Sequence, residues 1–107
     1  MKLIAVIPAF NEAARVGPVV KQTRSFVETV VVVDDGSSDQ TATEAEAAGA
    51  RVLRHDGNRG KGAAILTGLR HLQECGADAA VFLDADGQHD PNDIPRLAAA
   101  AEASGAG

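Results

Sequence analysis

VVVVDDGSSD, residues Val30–Asp39, runs four consecutive valines straight into a polar turn that carries three carboxylates. A segment that is apolar at every position marks a strand buried on both faces, as in parallel sheets. Gly36 permits a tight turn there, and Ser37, Ser38 and Asp39 can cap a following helix. Two more continuous runs, Leu3–Ile7 and Ala79–Leu83, and a shorter one, Val52–Leu53, repeat the pattern to either side. The stretches between them predict helices. Val16–Phe26 is one, with Pro18 tolerable only in its first turn. Thr41–Ala48 (TATEAEAA) is rich in Ala and Glu and stops at Gly49. Lys61–Cys75 spaces Ala64, Ile65, Leu69 and Leu72 near the helical period and stops at Gly76. A last helix is predicted over Asp93–Ala103, capped by Asn92 with Pro95 in its first turn. Strands that alternate with helices imply right-handed parallel βαβ units, hence an open α/β sheet with helices on both faces.

A chain of 107 residues makes one domain. Its 45% hydrophobic and 23% charged residues exclude a disordered tail and a membrane span. Ten basic against 15 acidic residues give a net charge of -5, which argues against nucleic-acid binding. The single cysteine, Cys75, excludes an internal disulfide and a cysteine-based zinc site, and reads as a small buried hydrophobe. The apolar start Leu3–Ile7 is too short for a signal peptide, and no run reaches the ~18–20 residues of a transmembrane segment. The expectation is a cytoplasmic, soluble domain.

The segments that follow the four runs are PAFNE (Pro8–Glu12), DDGSSD (Asp34–Asp39), HDGNRGKG (His55–Gly62) and DADGQHD (Asp84–Asp90). In a parallel sheet they share the carboxyl edge, where open α/β folds bind ligands. Asp34, Asp35, Asp39, Asp84, Asp86, Asp90 and Asp93, seven of the 15 acids, follow strand ends there, a density that calls for a cation or hydrogen-bond donors. In DADGQ, Asp84 ends a buried strand, Asp86 follows past a small residue, and Gln88 can supply one more oxygen. Such hard donors suit Mg²⁺ or Mn²⁺ shared with a substrate phosphate. A calcium EF-hand loop fails, because Gln88, His89 and Pro95 occupy its essential positions. His89, without a partner, reads as a loop residue. GNRGKG fails the P-loop pattern, since His55 and Gly62 stand where Gly and Ser/Thr are needed. It can still open a helix whose amides favour an anion, with Arg59 and Lys61 adding charge, or be a helix start with solvated basics. Asp34 and Asp35 stand where a carboxylate can accept from a ribose or base edge. Pro8 and Phe10 offer an apolar wall for a flat ring and Glu12 an acceptor, although Phe10 also reads as core.

VIPAFNEA (Val6–Ala13), VVVDDGSSDQT (Val31–Thr41), NRGKGAA (Asn58–Ala64) and FLDADGQHDP (Phe82–Pro91), in this order over nearly the whole chain, resemble the family 2 glycosyltransferases. Among them, the dolichyl- and polyprenyl-phosphate sugar synthases are the most similar. The resemblance implies a GT-A fold and transfer of a sugar, with inversion, from a nucleotide diphosphate sugar (GDP- or UDP-linked). It implies that Pro8, Phe10 and Glu12 line the nucleotide pocket and that Asp35 contacts the base, with Val33 beside it. Asp84 and Ala85 would lie against the ribose and diphosphate, and Asp86 and Gln88 would ligate Mg²⁺ or Mn²⁺. Phe10 replaces a tyrosine often found in the family, which keeps the ring and loses the hydroxyl. The acceptor, by resemblance a polyprenyl phosphate at a membrane surface, would meet residues after the Asp-x-Asp region, in a segment this chain lacks. Residues 1–107 are therefore expected to be the donor-binding part of a glycosyltransferase domain truncated after that motif. The alternative is a noncatalytic nucleotide-binding module.

Overall fold

The computed structural model describes residues 2–85. Its elements are β1 (Leu3–Ala9), α1 (Ala13–Thr23), β2 (Thr29–Asp34), α2 (Thr41–Ala47), β3 (Arg51–Arg54), α3 (Lys61–Cys75) and β4 (Ala79–Phe82). All strand pairs are parallel, in the order β3-β2-β1-β4. The α/β architecture expected from the sequence is thus present, and the helix predicted over 93–103 lies outside the described residues.

The two-residue period of the strands sorts the core into two layers. Ala5, Ile7 and Ala9 of β1 and Val30 and Val32 of β2 pack with Val16, Val20 and Ala45 of α1 and α2. Ile4, Val6, Val31 and Val33 point the other way, against Ala64 and Leu72 of α3. Covered on both faces, β1 and β2 have no need of polar positions, which is why they read as continuous apolar runs.

Three boundaries differ from expectation by more than one residue. Helix α1 begins and ends three residues before the predicted Val16–Phe26, because Glu12 O already accepts from Arg15 N–H (3.0 Å) and Val16 N–H (2.8 Å). Pro18 then falls inside the helix instead of its first turn. It leaves the Ala14 carbonyl without a helical donor, and both residues are exposed, so water can satisfy that oxygen. Strand β1 continues through Pro8 to Ala9. Val6 O accepts from Leu83 N–H (3.1 Å), so two residues on the Pro8 nitrogen also faces the β4 side. There β4 has already ended its pairing, with Phe82 opposite Val6, and no ladder bond is lost.

Helix α3 matches its predicted bounds, but its buried row is Ala64, Gly68, His71 and Leu72. Leu69, expected inside, is 38% exposed and Leu66 is 56% exposed. The reason is Gly68, where a Cβ would lie 2.5 Å from Val6 Cγ1. The helix descends onto the sheet along the 64–68–72 row, and Leu69 turns outward. Gly68→Ala is expected to overpack this contact by about 1–3 kcal/mol. A thermal melt should show a fall of several degrees, about 4–8 °C per kcal/mol at this size. An unchanged midpoint would mean that α3 is not seated so close.

Chain order runs outward from β1 through β2 to β3, then returns past β1 to place β4 on its other side. The crevice at such a reversal, between the carboxyl ends of β1 and β4, is where open α/β sheets bind ligands.

Candidate functional site

A cleft of about 280 Å³ opens at that crevice. Pro8, Ala9 and Phe10 form the wall that leaves β1, and Asp84 and Ala85 the wall that leaves β4. Asn58, Gly60, Lys61 and Ala64, from the loop before α3 and its first turn, close a third side, with Glu12 and Asp35 completing the lining. Six of the residues singled out from the sequence (Pro8, Phe10, Glu12, Asp35, Asp84 and Ala85) therefore share one cavity. Val33 does not reach it: paired with Pro8, it is wholly buried on the α3 side of the sheet. Asp86 and Gln88 lie outside the described residues.

The PAFNE segment is laced to the turn after β2. Asn11 adopts a left-handed backbone (φ 52°), which asparagine tolerates. Its N–H donates to Ser37 Oγ (2.9 Å), and its Oδ1 accepts from Ser38 N–H (2.9 Å). Glu12 N–H donates to Thr41 Oγ1 (3.0 Å). Asp39 takes Thr41 N–H (3.0 Å), the Thr41 hydroxyl and, on its other oxygen, Ala13 N–H (3.3 Å), so one carboxylate joins the starts of α1 and α2. The hydrogen bond from the Thr41 side chain, with those from the Thr41 and Ala13 N–H groups, outweighs the opposing effect of burial and holds the Asp39 carboxyl below its ordinary value. This lacing leaves Phe10 43% exposed at the cleft, a ring standing where core packing does not claim it. Glu12, at the rim, is paired with Arg15 Nη1 at 2.6 Å.

The two aspartates after β2 part company. Asp34 is buried; its Oδ1 accepts from Ser37 N–H (2.9 Å), and its Oδ2 has Arg54 Nε 3.7 Å away with no hydrogen bond. It shapes the turn and does not line the cleft, contrary to the ligand-facing reading. Asp35 does line it, and is also the keystone of the third wall. Its Oδ1 accepts from Arg59 N–H (2.9 Å) and His55 Nδ1 (2.7 Å), its Oδ2 from Gly60 N–H (2.9 Å). Burial pushes the Asp35 carboxyl up, but the hydrogen bonds from His55, Arg59 and Gly60, with the His55 charge, outweigh it and hold it below the ordinary value.

Lys61 reaches across the cleft mouth, its Nζ 2.7 Å from Asp84 Oδ1. In the sequence Lys61 adds charge to an anion-favouring helix start or is a solvated basic, and neither Asn58 nor His55 carries a site role. Their signal was the position of HDGNRGKG after the third run, but which atoms turn inward is a tertiary matter. Among the described residues no group of three or more His, Cys, Asp or Glu side chains could hold a metal. Asp84, 20% exposed on the cleft, is nonetheless a hard oxygen donor of the kind Mg²⁺ and Mn²⁺ take, and this fits the expected ion. No helix among the described residues is long and apolar enough to cross a membrane.

A family model described as "Glycosyl transferase family 2" matches residues 4–107. The UDP-N-acetylglucosamine–dolichyl-phosphate N-acetylglucosaminyltransferase of Methanococcus voltae is 36% identical, over 86% of this chain and 44% of its own length. The undecaprenyl-phosphate mannosyltransferase of Micrococcus luteus is also 36% identical, over 91% of this chain and 43% of its own. The chain thus spans less than half the length of either relative. Among solved structures, glucosyl-3-phosphoglycerate synthase of Mycobacterium tuberculosis superimposes with a TM-score of 0.71 at 30% identity, over 88% of this chain and 37% of that one. That enzyme was solved in complex with Mn²⁺, UDP and glucosyl-3-phosphoglycerate, and also with Mg²⁺ and UDP.

Proposed function

We propose, for a chain that belongs to glycosyl transferase family 2, that the cleft is the donor site of a sugar transferase and holds a uridine diphosphate sugar. The observation that carries this reading is the convergence of an exposed aromatic ring, a lysine and a carboxylate in one cavity at the sheet reversal. Pro8 and Phe10 supply the flat apolar wall a base needs, and Asp35 an acceptor beside it. Lys61 brings positive charge to the diphosphate, and the α3 N-terminus behind it favours the same anion. Asp84 and Ala85 lie along the ribose and diphosphate.

Asp86 and Gln88, with Asp84 nearby, would hold Mg²⁺ or Mn²⁺. Such an ion neutralises charge that builds on a departing diphosphate. The chain's own part is to bind and orient the donor so that an acceptor oxygen meets the open face of the anomeric carbon. By likeness to the two lipid-phosphate transferases, that acceptor is a polyprenyl phosphate at a membrane surface. Residues 1–107 are then the donor-binding part of the transferase domain. The relatives' names weigh against a noncatalytic module.

Titration calorimetry tests the donor site. UDP should bind in the presence of Mn²⁺, and omission of the ion or the substitution Asp86→Ala should weaken binding at least about tenfold, ~1.4 kcal/mol. Lys61→Ala should weaken it several-fold, and GDP should bind less well than UDP. A folded chain that ignores UDP, or binds it equally well without metal, would sink the proposal. Transfer of labelled sugar from a UDP-sugar to undecaprenyl phosphate tests the acceptor.

A further inference from the structure

His55 lies one residue beyond β3, is 8% exposed, and forms no part of the cleft lining. Its imidazole nevertheless bridges two elements of the site. Nδ1 donates to Asp35 Oδ1 at 2.7 Å, and Nε2 shares a 2.7 Å hydrogen bond with Thr67 Oγ1 on α3. Asp-His-Thr in a line looks like a nucleophile relay, but the geometry is that of a brace. Thr67 Oγ1 is also 3.1 Å from the Ala63 carbonyl of its own helix, and it too lies off the cleft wall. The same Asp35 carboxylate holds Arg59 N–H and Gly60 N–H. The imidazole is thus the side chain that sets the carboxylate plane against the loop and ties both to the helix carrying Lys61 and Ala64.

We infer that His55 is a positioning residue of the donor site: through Asp35 it holds the Asn58–Lys61 wall in the conformation that receives the nucleotide. This rests on the donor-site reading above. The physical ground is that a carboxylate can rotate about its Cβ–Cγ bond. Two backbone donors from one loop would follow it, whereas a third donor anchored on another element removes that freedom.

Two conservative replacements separate positioning from bulk stability. An asparagine amide nitrogen takes roughly the place of Nδ1 and can still donate to Asp35. A glutamine amide takes roughly that of Nε2 and favours Thr67. Amide hydrogen exchange at Arg59 and Gly60, followed by NMR without any nucleotide, should accelerate about tenfold or more in His55→Gln. It should stay within a few-fold of the parent in His55→Asn and in Thr67→Val, which leaves the Asp35 contact in place. UDP affinity in the presence of Mn²⁺ should follow the same order, with a loss of about tenfold in His55→Gln alone. Equal acceleration by the Asn and Gln variants, or unchanged exchange in both, would overturn the inference, as would accelerated exchange with unaltered UDP affinity. If the parent chain binds no UDP while the exchange order holds, the donor reading falls and the brace between His55 and the loop stands.

Discussion

Gly36→Ala is expected to abolish UDP binding and to lower the melting temperature by roughly 10–25 °C. Gly36 has φ +77°, where an L side chain is strained by about 1–2 kcal/mol. A Cβ there would also sit 2.5 Å from Gly57 C, 2.7 Å from Gly57 Cα and 2.8 Å from Asn58 N. These are backbone atoms, so no rotamer change relieves the clash, and overpacking adds about 1–3 kcal/mol. The only relief is to move the Gly57–Asn58 segment away, which carries Asn58 off the cleft and pulls Arg59 and Gly60 from Asp35. Gly57→Ala is the control: a Cβ at that position meets nothing within 4 Å, so its melt should lie within about 0.5 kcal/mol of the parent. Melting curves and UDP titrations of the two variants check this. Equal behaviour would show that the two turns do not touch.

Asp35→Asn is the second large effect. The replacement is isosteric, yet one carboxylate oxygen becomes an amide that opposes a donor, either Gly60 N–H or the Arg59 N–H and His55 Nδ1 pair. Breaking one side of a buried ionic network costs about 3–5 kcal/mol, because the partners are left without an acceptor. Chemical denaturation should show that loss at neutral pH. The pH dependence has a definite sign. A carboxyl held below its ordinary value of 3.8 binds fewer protons folded than unfolded. Its stabilisation is therefore complete above the unfolded value and lost as pH falls through the lower, folded one. The parent should lose stability on acidification in that window, and Asp35→Asn should show a shallower acid limb. An acid limb of the same steepness in both would remove Asp35 from the account.

The layers were legible because burial on both faces leaves a mark in one dimension: four valines in a row admit few alternatives to an interior parallel strand. Lys61–Cys75 was legible for a similar reason, being bounded by glycines, the second of which takes up the left-handed cap at Gly76 (φ 71°). Helix α1 was misplaced because its start depends on Glu12 O and on the Ser37–Thr41 turn 26 to 29 residues away, which lends it side-chain acceptors. Leu69 was misplaced because hydrophobic spacing cannot register a helix that approaches the sheet through a glycine.

The acids show the same division. That carboxylates gather at one sheet edge follows from strand order and spacing, since every polar turn comes after an apolar run and parallel strands bring those turns together. Asp34 and Asp35 are chemically identical neighbours, and nothing in the string distinguishes them. Successive residues leaving a strand point to opposite sides, so one is drawn into its own turn while the other meets the His55–Gly60 loop from the far end of β3.

By itself, then, the sequence determined the sheet, its parallel sense and the family, because apolar runs and ordered motifs are local patterns. Which side chains face the cleft, that Lys61 spans to Asp84, and that His55 braces Asp35 were decided only by the tertiary structure. Those contacts join residues 20 to 25 positions apart, and their partners are set by crossover geometry and close approach, quantities no local pattern encodes.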